Sequence, residues 1–488
     1  MTDRARRITK NSLWVLISRI VEIVTGLLAL ALVARYLGVA DFGMYSLTMA
    51  VVWTISPFLI LGLPRILMRD IAQDNQRATD LIRVAVQIVV FLGAPIFILG
   101  FIVALFAFPQ SKTALAIAIS FAGIVFVVLK RILVALFSAH EKMNYETFFT
   151  LVNACAYFLL TWLCIKADLG FISLFIAFSL ANVSDLAIAF FLARPLVSFR
   201  DFFSLDREQL SYIIRESLPL VFSHALFQGQ QYLGVFMLGF LCTAADVGIF
   251  QAPFRVFARL QLFPAIIMMA LAPLLSQLSA GGVARDELRR VLQTAHKFVL
   301  IAGLPLAIIG YFLADDVVVA MFGSKFAASA SVLQVLMPAL PVSFMMVFFD
   351  NILTTLRKQR YAVMSTAAGL AALFIASLVL VPLQRADGAA MASLIAFYIT
   401  AALMALSMND VVSLASFARD AIRPVFAAVV MGALTYFFHR DHVIIVLIAA
   451  SAAYIILLFS FKTFSAAEIR FVRAALKGGK AEKNTVRG

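Results

Sequence analysis

Long apolar runs interrupt the chain at nearly regular intervals, and they are too many for one soluble core. They fall at about residues 12–34, 42–63, 82–107, 114–137, 147–165, 171–192, 217–241, 247–277, 296–319, 330–354, 361–382, 388–407, 424–438 and 442–463. A helix needs about 20 predominantly apolar residues to cross the hydrocarbon core of a bilayer. Fourteen runs of roughly that length predict an all-α integral membrane protein with about 14 transmembrane helices. Composition agrees: 63% of the 488 residues are hydrophobic and 14% charged. Soluble domains stand near 45–50% and 25%.

Charge sets the orientation. Alternate connections carry 29 Lys and Arg on one side of the membrane and 6 on the other. The positive-inside rule then places both termini in the cytoplasm. The net charge of +14 is thus explained by an anionic membrane surface, with anionic lipids as partners and no nucleic acid. Arg4, Arg6, Arg7 and Lys10 precede a run that is longer than a signal-peptide core and carries Arg19 and Glu22, so a retained first helix is expected. Residues 199–216 and 465–477 alternate apolar and basic side chains as interfacial amphipathic helices do. The basic end, 478–488, reads as disordered.

Cys155, Cys164 and Cys242 lie in apolar stretches without a CxxC or metal spacing and read as small buried hydrophobes. His439 and His442 flank a tight outer loop with no third ligand in sequence, so no metal is expected. The chain has no GxxxxGK[ST] phosphate loop. No cofactor is expected either.

Three ordered matches indicate an internal repeat. Asp41-Phe-Gly43-Met-Tyr45 recurs as Asp246-Val-Gly248-Ile-Phe250, an offset of 205. Gly93-Ala-Pro95 with Gly100-Phe101 recurs as Gly303-Leu-Pro305 with Gly310-Tyr311, offset 210, and Lys142 to Tyr145 recurs as Lys358 to Tyr361, offset 216. Each copy holds six spans, an even number, so the copies enter the membrane alike and relate by a pseudo-two-fold along its normal. The expected division is an N-lobe at 1–198, a C-lobe at 199–407, two C-terminal helices at 408–463 and a cytosolic tail at 464–488.

Ser18-Arg19, Ala34-Arg35-Tyr36-Leu37-Gly38, Asp41-x-Gly43-x-Tyr45, and Gly62-Leu63-Pro64 with Arg69-Asp70 resemble the polysaccharide-transport family. That family sits in the superfamily of multidrug exporters and lipid II flippases. The resemblance implies a flippase of the cytoplasmic (inner) membrane. It would carry polyprenyl-pyrophosphate-linked oligosaccharide from inner to outer leaflet by alternating access, for lipopolysaccharide, exopolysaccharide or related surface polymers. Polysaccharide assembly proteins are the partners it implies.

Charges within apolar helices are costly, so each invites a functional reading. Arg19 lies roughly 10 Å into helix 1, with Glu22 one turn deeper on the same face. Arg255 and Arg259 are i, i+4 neighbours on helix 8. The repeat offset carries Arg19 onto His224, which with Gln228 and Gln231 forms a polar stripe on helix 7. Arg19 and Glu22 are expected on one wall of a cavity, and the other five residues on the facing wall. Arginines bind phosphate oxygens bidentately, while His224, Gln228 and Gln231 supply neutral donors and acceptors for sugar hydroxyls. Glu22 is the candidate for ion coupling. The plainer reading makes Arg19–Glu22 a self-neutralising pair and gives Arg255 and Arg259 carboxylate partners across the bundle. Lys130 and Arg131 read as structural, with Asp185 and Asp350 available to neutralise them or tether the lobes.

Two rival functions remain. An ion-coupled drug/cation antiporter of the same superfamily would favour an acidic cavity, whereas five basic residues stand within the membrane against three acidic ones. A membrane glycosyltransferase or polymerase would need a large outer loop or an acidic metal motif, and the sequence carries neither. A non-enzymatic transporter is therefore expected, ahead of a scaffold without transport.

Overall fold

The computed structural model describes residues 3–107, 111–140, 142–197, 207–264, 285–409, 411, 413–461 and 463. Every regular element among them is helical. The first half comprises α1 (Asp3–Ile60), α2 (Leu63–Gln73), α3 (Ala78–Ala107), α4 (Ser111–Ala139), α5 (Met143–Lys166), α6 (Phe171–Ala193), α7 (Arg207–Leu241) and α8 (Ala244–Leu260). The second comprises α9 (Arg285–Phe312), α10 (Ala314–Phe322), α11 (Ser329–Leu336), α12 (Ala339–Thr355), α13 (Gln359–Leu406) and α14 (Leu414–Ser460).

All fourteen apolar runs fall on these helices, apart from the part of 247–277 at 265–277 that lies outside the described residues. Among the described residues, eight helical stretches are long and apolar enough to cross a membrane, or nine with the α11–α12 pair, which bends by 48°. The number is below fourteen partly because two of these stretches hold two runs each. α1 is broken at Gly38 (φ 74°, ψ −179°), in the sequence that ends the first run. This backbone conformation is essentially restricted to glycine. α13 is broken at Arg385 (φ 48°, ψ −120°), between the runs 361–382 and 388–407.

The chain forms two compact units. One comprises Leu13–Gln251 with Met321–Lys325, and the other Met1–Ser12, Ala252–Ala320 and Phe326–Gly488. The first has a core of α2, α3, α4 and α6, built around Leu63, Leu67, Ile82, Val128, Ile132 and Ala189. In the second, Ala427, Met431 and Tyr454 of α14 pack with Ile301 and Ile308 of α9, and the Tyr454 hydroxyl donates to the Ile301 carbonyl at 3.2 Å.

Three local expectations are corrected. The connection between the runs 42–63 and 82–107 is not simply a loop but holds the amphipathic helix α2, whose Leu63, Ile66, Leu67 and Ile71 are buried. Segment 199–216 is not a separate interfacial helix over its described part: 207–216 is the start of α7. Within that segment Ile213 is fully buried in the first core with Leu210 against it, while Ile214 is exposed. Cys155 is exposed on α5 rather than buried. Segment 465–477 and the tail to 488 lie outside the described residues.

Each repeat match has matching local geometry. Lys142 and Lys358 both precede a helix, with the same hydrogen-bonded turn: the Lys142 amide donates to the Phe137 carbonyl (3.0 Å) and the Lys358 amide to that of Leu353 (2.7 Å). Pro95 and Pro305 both lie inside helices, α3 and α9. The first match is the most informative. A Cβ on Gly43 would overlap the Ala244 carbonyl oxygen, and one on Gly248 would overlap that of Val39. Val39 and Ala244 are themselves separated by the offset of 205, so the two contacts are reciprocal about a local two-fold. Small residues at such crossings let backbones approach closely and favour Cα–H···O contacts.

Candidate functional site

The clearest electrostatic feature is a buried ion pair. Lys130 of α4 reaches Asp185 of α6 at 2.7 Å, and the Asp185 side chain has no exposure. This is the neutralising role open to Asp185 from the sequence. In a medium that solvates charge poorly, a pair like this roughly offsets its own desolvation, whereas either partner alone is strongly unfavourable. Arg131, next in sequence, is exposed.

The predicted ligands are divided between the units. Glu22 is half-buried on α1, one turn from Arg19, whose side chain lies outside the described residues. His224, Gln228 and Gln231 belong to the same unit as Glu22. Gln228 donates to the Trp53 carbonyl at 2.9 Å, so its amide nitrogen fastens α7 to the second half of α1. Gln231 is half-buried and His224 exposed. Arg255 and Arg259 are in the other unit, one turn apart on α8 and both half-buried. Arg259 occupies the last turn of its helix, where a cation complements the helix dipole.

Sequence reasoning quoted Arg35, Tyr36, Arg69 and Asp70 as marks of a family without assigning them a task. The structure assigns each one contacts. Arg35 Nε donates to the Met321 carbonyl at 2.9 Å, in the last turn of α10, where carbonyls lack helical partners. The Tyr36 hydroxyl donates to Asp168 at 2.6 Å and accepts from the Gly170 amide at 3.0 Å, tying α1 to the α5–α6 turn. Arg69 of α2 donates from Nε to Asp70 (2.7 Å), from Nη1 to Glu216 (3.1 Å) and from Nη2 to the Tyr212 hydroxyl (2.8 Å). Tyr212 in turn donates to Asp70 at 3.1 Å. Burial, and then the hydrogen bond to Asp70, push the Tyr212 phenol above its ordinary range, so it stays protonated. Arg69 and Glu216 are both nearly half exposed. Screening then limits such a link to about 1 kcal/mol or less, which suits a contact that forms and breaks.

The sequence matches the family model described as polysaccharide biosynthesis protein over residues 8–279, and a second model, MatE, over 219–383. No curated protein matches it. Among solved structures it is similar to the lipid II flippase MurJ in an inward closed conformation, with a TM-score of 0.76 at 14% identity, over 93% of this chain and 99% of that one. An inward-facing multidrug resistance MATE family transporter of the MOP superfamily gives 0.67 at 15% identity, over 80% and 95%. A MOP superfamily transporter from Pyrococcus furiosus gives 0.60 at 16%, over 83% and 96%. At these identities the likeness shows a shared fold. The first model spans more than half of the chain, and its span includes every motif that suggested the polysaccharide-transport family. With the fold and the family model in agreement, this multi-pass membrane protein belongs to the polysaccharide biosynthesis protein family.

Proposed function

We propose that the protein is a flippase that carries polyprenyl-pyrophosphate-linked oligosaccharide from the inner to the outer leaflet of the cytoplasmic membrane by alternating access. Both termini are cytoplasmic in this reading, and the product feeds surface polysaccharide assembly. The observation that carries it is the family match over 8–279. Basic residues on membrane helices support it, because a pyrophosphate brings two or more negative charges that arginines satisfy bidentately. Arg19, Arg255 and Arg259 are the proposed headgroup ligands. His224, Gln228 and Gln231 are assigned to the sugar, and Glu22 to ion coupling. The MatE match over 219–383 favours one second reading, an ion-coupled drug/cation antiporter.

The test is a strain lacking the protein, with lectin or glycosidase access to right-side-out and inside-out vesicles. The flippase reading expects lipid-linked oligosaccharide to accumulate in the cytosolic leaflet, and Arg19→Ala or Arg259→Ala protein to leave it there at normal protein level. A normal leaflet distribution, with no overlapping flippase expressed, transfers the assignment to the antiporter.

A further inference from the structure

The crossing at Gly43 and Gly248 joins the two repeat copies, and a buried amide stands one turn from it. Gly248 and Gln251 are three residues apart on α8 and so share a face. Gln251 is 1% exposed, within an unbroken buried stretch from 250 to 254. Neither its amide nitrogen nor its amide oxygen has a hydrogen-bond partner among the described residues. Polar groups nearby on α7 and α8 are provided for. Asp246 accepts from the Thr243 amide (3.0 Å) and hydroxyl (2.6 Å), and Gln228 donates to the Trp53 carbonyl. The repeat offset of 205 pairs Gln251 with Ser46, which is also buried and lies three residues from Gly43 on α1. The long amide therefore belongs to the second copy alone.

A buried donor or acceptor without a partner forfeits the bonds it makes in water, and a carboxamide forfeits them at both ends. Transporters built from repeats move one copy against the other, with the path at the interface between copies. The crossing lies on that interface. Spans 1 and 7 both end beside it, at Gly38 and Leu241, so the expected orientation places it towards the outer face. Close backbone packing at the two glycines favours the closed crossing. The amide opposes closure, because parting of the helices returns it to polar surroundings. We propose that Gln251 is the counterweight of this closure, unpartnered while α1 and α8 touch and hydrogen-bonded once they part, so that it sets how readily the outer side opens. The device rests on alternating access, which the flippase and antiporter readings share.

The test uses full-length protein in nanodiscs, with Cys155, Cys164 and Cys242 replaced by Ala and a single reporter, Ser46→Cys or Met49→Cys. Ser46 is 2% and Met49 4% exposed, so a maleimide reaches either only when the crossing parts. The labelling rate then follows the open fraction. Gln251→Met keeps the length of the side chain and removes the amide. It is expected to slow labelling of both reporters about tenfold or more and to raise the melting temperature. Gln251→Leu repeats the comparison if the Met variant is not monodisperse, and failure of both to fold overturns the proposal, because the amide is then needed in the closed form. Labelling at the unsubstituted rate or faster overturns it, as does a lowered melting temperature. Reporters that never label with Gln251 in place also overturn it, since the crossing then does not part. Failure of the flippase reading shows separately, as a normal leaflet distribution in the strain lacking the protein while Gln251→Met still labels slowly.

Discussion

At the scale of single residues, Lys130 and Asp185 illustrate how burial decides the meaning of a charge. Asp185 is fully buried and Lys130 largely so, and they stand 2.7 Å apart. Lys130→Ala leaves a carboxylate in the core of the first unit without its cation, at an expected cost of about 3–5 kcal/mol. Lys130→Met with Asp185→Leu removes both charges and keeps the volume, and is expected to be far milder, near neutral. Thermal unfolding in detergent of the two single variants and the double variant gives the coupling directly. Additive losses would show that the pair does not act as a unit. Arg69 is a contrasting case: it makes three hydrogen bonds, but in the open, and its contribution is correspondingly small.

At the scale of elements, the decisive contact is the reciprocal crossing at Gly43 and Gly248. Any side chain at Gly43 meets the Ala244 carbonyl, a backbone atom that cannot turn aside. Gly43→Ala is expected to lower stability by about 3 kcal/mol, the upper part of the range for overpacking. Gly432→Ala in α14 is the matched control. Nothing lies within 4 Å of its would-be Cβ, and helix propensity alone predicts a gain of about 0.5–1 kcal/mol. Equal melting temperatures for the two variants would sink the crossing as a close backbone contact. The sequence disclosed that these glycines were a pair, because repetition is visible in one dimension. Their mutual contact was not visible, since it depends on how two helices 205 residues apart meet. Helix α2 failed differently. Its buried positions 63, 66, 67 and 71 carry plain helical periodicity, but four arginines between 65 and 83 drew the segment towards a loop. At the amphipathic start of α7 an apolar stripe does not say what covers it: Ile213 faces protein, while Ile214 is exposed.

At the scale of the whole molecule, the apolar runs were legible because the bilayer imposes its thickness on any helix that crosses it. Side-chain partners such as Tyr36 with Asp168 were not, because they depend on tertiary packing. The topology carries the last prediction. With 29 basic residues on one side and 6 on the other, the alternation of spans sets the expected orientation. Lys112, at the start of α4, is then expected outside, and Arg77, before α3, in the cytoplasm. With Cys155, Cys164 and Cys242 replaced by Ala, a Lys112→Cys protein should react with a membrane-impermeant maleimide in intact cells. An Arg77→Cys protein should react only after the membrane is opened. Labelling of both from outside would break the alternation of spans between them. The opposite pattern would invert the molecule and place both termini outside the cell.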